Sequence, residues 1–128
     1  MNVLVIALDA AGAVDVPESQ VLVVAPALNS RLRHWLSDED DARRLAGERL
    51  DATVERLESR GVHAEGRVGD SDPLQAIADV LPLFPADEIV IAGHPDRRRR
   101  LADDLVARAS ARFGLPVLRS EEPLPHAA

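Results

Sequence analysis

The strongest constraint on the fold is a set of three short, wholly apolar runs that stand far apart in the chain. They are "VLVIAL" at 3–8, "VLVVA" at 21–25 and "IVIA" at 89–92. Each is followed by an acidic residue, a proline or a glycine. Such runs are typical of strands buried on both faces, as in a parallel sheet. We therefore predict that these three segments are strands of a parallel β-sheet.

Two other segments predict shorter or more exposed strands. The segment Val62–Val68 alternates between apolar and polar residues, which is typical of a half-exposed strand near an edge. Val117 and Leu118 follow "GLP" and predict a last, short strand.

Helical patterns lie between the strands. Across 37–60 apolar residues recur at three- and four-residue steps, with Ser37 as a cap and Gly61 as a stop. Asp72-Pro73 predicts a capped second helix, and a third spans about 101–113, with Gly114 as its stop. Alternating strands and helices indicate a doubly wound α/β sheet with right-handed crossovers.

The first connection is unusually short. Asp9–Gln20 carries Gly12 and Pro17 and barely meets the minimum length of a parallel crossover. We expect its helix to be short or missing, which would leave one sheet face for a partner subunit to complete.

Length and composition indicate one domain and exclude several kinds of chemistry. The chain has 128 residues, which fits an α/β domain over 1–119 and a loose C-terminal tail over 120–128. It contains no cysteine and no lysine, so disulfides, thiol nucleophiles and lysine chemistry are excluded. A net charge of −7 argues against binding to nucleic acid or to an anionic membrane. With no apolar run of about 20 residues, we expect a cytoplasmic protein.

The residues offer little for catalysis. The four histidines lie on separate segments without the spacing of metal ligands, so no metal site is predicted. No nucleophile–base pair or pair of carboxylates stands out, so no catalytic residue is predicted and an enzyme is the weaker hypothesis.

The candidate ligand-binding residues all follow directly after a predicted strand, at the sheet edge where open α/β folds bind ligands. They are Asp9, Gly69, Asp70, Gly93, His94, Arg97, Arg98, Arg99 and Arg100. The four arginines suit an anion clamp, a solvated charge run or a contact with the acidic face of another subunit. If the third helix begins near Leu101, they lie in the loop before it.

The other candidates also have alternative interpretations. Asp9 suits either a ligand contact or a turn. Helix capping accounts for Ser71 and Asp72 without a ligand, and His94 suits either an acid–base group or a polar loop residue.

Four segments in this order resemble the universal stress protein family, within the nucleotide-binding α/β folds called HUP domains. They are "NVLVIALDAAG", "GVHAEGRVGDSDPLQAI", "ADEIVIAGHP" and "RFGLPVL", which together span most of residues 2–119. Two stretches, "LNSRLRHWLSDED" and "GDSDPLQAIADVL", are similar to a branch of short bacterial proteins related to this family. The resemblance implies a single-domain, three-layer sheet of about five parallel strands in the order 3-2-1-4-5.

The resemblance also bears on the ligand. ATP-binding members carry Gly-x-x-Gly, nine residues, then Gly-Ser or Gly-Thr after the fourth strand, and an Asp at the position of Asp9 approaches adenine or ribose. Here Gly93 is present, but Asp96 or an arginine takes the second glycine position. Asp103 and Asp104 stand near the final motif, where their carboxylates would repel a triphosphate. The chain therefore departs from the family's ATP signature.

Three functions follow as expectations. The first is a small, cytoplasmic, non-enzymatic universal stress protein-like module, a homodimer that acts by binding a ligand or a protein partner. The second is a binder of a nucleotide or phosphorylated metabolite, or of another anion, in an altered pocket. The third is a nucleotide hydrolase or transferase that uses His94 or Asp70.

Overall fold

The described part of the chain, residues 1–9, 20–28, 39–93 and 99–120 of this computed structural model, contains five strands and three helices. They are β1 (Asn2–Ala7), β2 (Gln20–Pro26), α1 (Glu39–Ser59), β3 (Ala64–Gly69), α2 (Pro73–Val80), β4 (Glu88–Ala92), α3 (Arg99–Phe113) and β5 (Val117–Ser120).

The strands form one parallel sheet in the order β3-β2-β1-β4-β5, which confirms the predicted fold class and strand order. The three apolar runs form the three central strands. In the middle of the sheet Val5 pairs with Val23 on one side and with Val90 on the other.

Helices cover both faces, so the domain has three layers. On one face α1 packs against Val3, Val5 and Ala7 of β1. On the other face α2 and α3 pack against Leu4 and Ile6, the alternate residues of the same strand. These five of the six β1 side chains are at most 1% exposed, because the strand has apolar layers on both sides.

The helix ends follow the residues that the sequence offers. Asp72 caps α2, and its Oδ1 accepts a hydrogen bond from the backbone N–H of Leu74 at 3.0 Å. Pro73 begins the helix, where its missing N–H costs nothing. Gly61 and Gly114 follow α1 and α3 with φ of 82° and 65°, the left-handed conformation that ends many helices. These predicted caps and stops are confirmed.

Several predicted bounds differ from the structure. β3 begins at Ala64, two residues after the predicted start, and ends at Gly69. β5 continues through Ser120, one residue past the 1–119 boundary, because Ser120 pairs with Ala92 of β4.

The predicted start of the third helix is wrong, because α3 begins at Arg99 and not near Leu101. Arg99 and Arg100 therefore lie in its first turn, which contains no acidic residue, and not in the loop before it. Both side chains are exposed, so solvent reduces the unfavourable interaction of their charges with the helix dipole. The interior of the predicted first connection, the predicted cap Ser37 and most of the tail lie outside the described residues, so the expected short or missing first helix stays a prediction.

Candidate functional site

The candidate site lies at the carboxyl ends of β1 and β4, two adjacent strands at the middle of the sheet. From β1 the chain proceeds outward to β2 and β3, and then crosses back to β4 on the other side of β1. Open α/β sheets bind ligands in the crevice that this reversal of direction creates.

Asp9 and Gly93 face each other at this crevice. The backbone N–H of Leu8 donates to the carbonyl of Ala92 at 2.9 Å, which continues the β1–β4 ladder as far as the two residues. A methyl group added at Gly93 would lie 3.7 Å from Oδ2 of Asp9. The half-buried Asp9 thus places its carboxylate beside a buried residue that carries no side chain.

Gly69 and Asp70 lie two strands away from β1, at the carboxyl end of β3, and both have structural roles. A methyl group at Gly69 would lie 2.7 Å from Cγ1 of Val24 and 3.0 Å from Cβ of Ala76. The glycine therefore allows α2 to approach the sheet. Oδ1 of Asp70 accepts a hydrogen bond from the backbone N–H of Asp72 at 2.9 Å, which orders the turn before α2. Their role toward a ligand stays a prediction.

Asp103 forms an ion pair that the sequence analysis missed. Its Oδ1 accepts a hydrogen bond from Nη1 of Arg119, whose side chain is only 16% exposed. The next residue of α3, Asp104, has an exposed side chain, and its Oδ2 lies 3.8 Å from Nη1 of Arg108. These partners offset part of the negative charge that would repel a phosphate. A predicted last strand that continued two residues further, to Ser120, would have included Arg119 and placed it at the same sheet edge.

The remaining candidates are placed only in part. Arg99 and Arg100 project from the first turn of α3, the helix that follows β4. His94, Arg97 and Arg98 lie outside the described residues. Within the ranges that the structure describes, no three histidine or acidic side chains come together as a metal site. Over those same ranges, none of the helices has the length and apolarity needed to cross a membrane.

Comparison with known proteins gives a structural relative but no sequence relative. No family model matches the sequence, and no curated protein matches it. The structure is similar to the crystal structure of a universal stress protein family protein from Arabidopsis thaliana with AMP bound. The TM-score is 0.56 at 12% identity, over 91% of this chain and 89% of the other. The chain therefore has a universal stress protein-like α/β fold.

Proposed function

We propose that this chain is a non-enzymatic, universal stress protein-like module that binds a small phosphate-bearing ligand, such as a nucleoside monophosphate. The observation that carries the proposal is that the carboxylate of Asp9 lies next to Gly93, at the crevice between β1 and β4. A carboxylate at such a crevice can accept hydrogen bonds from ribose hydroxyls. The glycine beside it adds no side chain that would compete with a ligand for this carboxylate.

A monophosphate suits this site better than a triphosphate. Of the positions that receive a phosphate chain in ATP-binding family members, Gly93 is kept, the second glycine position holds Asp96 or an arginine, and the final Gly-Ser position falls near Asp103 and Asp104. Arg99 and Arg100 are exposed at the start of α3 and offer planar guanidinium groups to a phosphate. The Arg119–Asp103 ion pair reduces the repulsion that the phosphate would meet. The Arabidopsis relative was crystallised with AMP, a ligand of this size.

The test measures binding across a graded panel of adenosine, AMP, ADP, ATP and inorganic phosphate. We expect AMP to raise the melting temperature most, since a ligand at a hundred times its Kd adds about 2.7 kcal/mol to the free energy of unfolding. Asp9→Asn should reduce the shift, and Asp79→Asn, which changes an exposed acid on α2, should leave it unchanged. No shift with any ligand would refute the proposal.

The non-enzymatic part has a separate test. AMP and ATP incubated with an equal concentration of protein should remain intact when followed by phosphorus NMR. Release of phosphate or pyrophosphate that is lost in the Asp70→Ala or His94→Ala variant would favour the hydrolase hypothesis instead.

A homodimer through β5 completes the proposal. β5 is an outer strand with no described strand beyond it, and Leu118 on it is 53% exposed. An exposed leucine on an open strand edge is a typical site for pairing with a second chain.

A further inference from the structure

At the opposite edge of the sheet, no strand of the described residues lies beyond β3. The direction of the β3 backbone groups can be assigned. The carbonyl of Gly69 accepts from the N–H of Ala27 at 3.1 Å, so the backbone of Gly69 faces β2. Because these directions alternate along a strand, the backbone groups of Ala64, Gly66 and Val68 face outward. Ala64 is only 5% exposed, so Gly66 and Val68 are the two of these residues that offer N–H and C=O groups to another chain.

A groove runs along this edge on the side of α2. Its volume is about 500 Å³, and Leu22, Leu83 and Phe84 give it an apolar surface. Leu83 is 72% exposed although it is a large apolar residue. Glu65 and Arg67 project from β3 onto the same face as Leu22 and form the charged rim. This groove fits an apolar side chain that enters from beyond β3.

A second groove, of about 350 Å³, runs along the same edge on the side of α1. Leu50, Val54 and Gly66 line it, and Leu50 and Val54 pack closely over Gly66, where a methyl group would lie 2.6 Å from Cδ1 of Leu50. Its wall is acidic, formed by three exposed residues of α1 that we call the acidic stripe: Asp51, Glu55 and Glu58.

Arg44 lies before the acidic stripe on α1 and does not neutralise it. Arg44 binds Asp41 at 2.8 Å and Glu48 at 3.3 Å. The hydrogen bond and charge of Asp41, with those of Glu48, raise the pKa of Arg44, so this arginine is engaged with those two acids. Nδ1 of His63 lies 4.0 Å from Oε2 of Glu58, but the described residues that line the groove include three acids and no basic side chain, so the wall is net negative.

We propose that the outer edge of β3 binds an extended peptide segment of a partner protein in which apolar and basic residues alternate. Successive side chains of a strand point to opposite faces of a sheet. In a peptide strand added to β3, the apolar side chains would enter the apolar groove and the basic side chains would contact the acidic stripe. Hydrogen bonds to the edge supply affinity in this mode of recognition, and the two grooves supply specificity. The net charge of −7 steers a basic segment toward the protein.

The first experiment measures binding of a fluorescein-labelled peptide of alternating valine and arginine to the full chain by fluorescence anisotropy. We expect saturable binding that a peptide of alternating valine and glutamate does not show. Asp51→Asn combined with Glu55→Gln should weaken binding by about fivefold. The control is Asp79→Asn combined with Asp104→Asn, which removes the same charge from exposed positions elsewhere. It should change the affinity for the peptide by less than about twofold.

The apolar groove has its own matched pair of variants. Leu83→Ser should weaken peptide binding, and Leu83→Met, which keeps an apolar side chain at the same position, should not. Leu83 is 72% exposed, so neither change removes core packing.

Residue-resolved hydrogen exchange distinguishes strand addition from simple charge attraction. The peptide should slow exchange of the Gly66 and Val68 amides, which face outward, and leave that of Arg67, which already faces β2, unchanged. Equal binding of the acidic peptide, equal effects of the two double variants, or no new protection at these amides would each overturn the proposal. Protection that rises with protein concentration without peptide would also overturn it, because the edge would then pair with a second copy.

Discussion

The same substitution at two glycines should have opposite effects on stability. A methyl group at Gly69 would lie 2.7 Å from Val24 and 3.0 Å from Cβ of Ala76. Cβ of Ala76 is fixed to the backbone of α2 and cannot rotate away, so the helix must move. A methyl group at Gly93 would meet its neighbours only at 3.7–4.0 Å, which is ordinary van der Waals contact.

The distances set the expected magnitudes. Overpacking of a core costs about 1–3 kcal/mol, so Gly69→Ala should lower the melting temperature by roughly 4–12 °C in a domain of this size. Gly93 is not among the described glycines with positive φ, so an alanine there meets no backbone strain. Gly93→Ala should stabilise the ligand-free protein by about 0.4–1 kcal/mol, because alanine reduces the entropy of the unfolded chain.

Urea unfolding followed by circular dichroism, without ligand, measures both effects. Melting with and without AMP then separates folding from binding. Gly93→Ala should reduce the AMP-induced shift although it does not destabilise the fold, and Gly69→Ala should keep the shift. A loss of more than about 1 kcal/mol in Gly93→Ala, or a change under about 0.5 kcal/mol in Gly69→Ala, would refute this account of the two positions.

Three further predictions test the cap, the edge and the crevice. Asp72→Ala should destabilise the protein by about 1 kcal/mol in urea, since it removes the cap of α2, and an equal loss in Ser71→Ala would contradict this. Leu118→Arg should convert a dimer to a monomer in sedimentation equilibrium, and an unchanged dimer would exclude β5 as its interface. Asp9→Asn should weaken AMP binding about tenfold or more by calorimetry, because it removes a charged acceptor, and unchanged affinity would place the ligand elsewhere.

The central strands could be predicted from the sequence because burial on both faces gives a continuous apolar run. The outer strands give weaker signals. β3 carries Glu65 and Arg67 on its α2 side, where its face is open, and its alternating pattern extends back to Val62, two residues before the strand begins. Ser120 ends β5 through its pairing with Ala92, a contact that no local pattern indicates.

The candidate site was predictable where position alone determines it. Asp9 and Gly93 meet because the carboxyl ends of adjacent parallel strands lie at the same edge. The packing role of Gly69 depends on how closely α2 approaches the sheet, and the Arg119–Asp103 ion pair joins a strand to a helix across the edge. Both are three-dimensional contacts between segments whose sequences carry no mutual signal.

The central place of β1 has a consequence for synthesis on the ribosome. Val3 pairs with Val21 on one side but with Glu88 on the other, and Asn2 and Asp87 exchange hydrogen bonds at 2.8 Å beside that pair. At 5–20 residues per second, the intervening segment takes roughly 4–17 s to make. During that interval the nascent chain exposes one edge of "VLVIAL", the kind of segment that aggregates. Protection of the nascent β1 by a chaperone until β4 emerges should therefore govern the yield of folded protein.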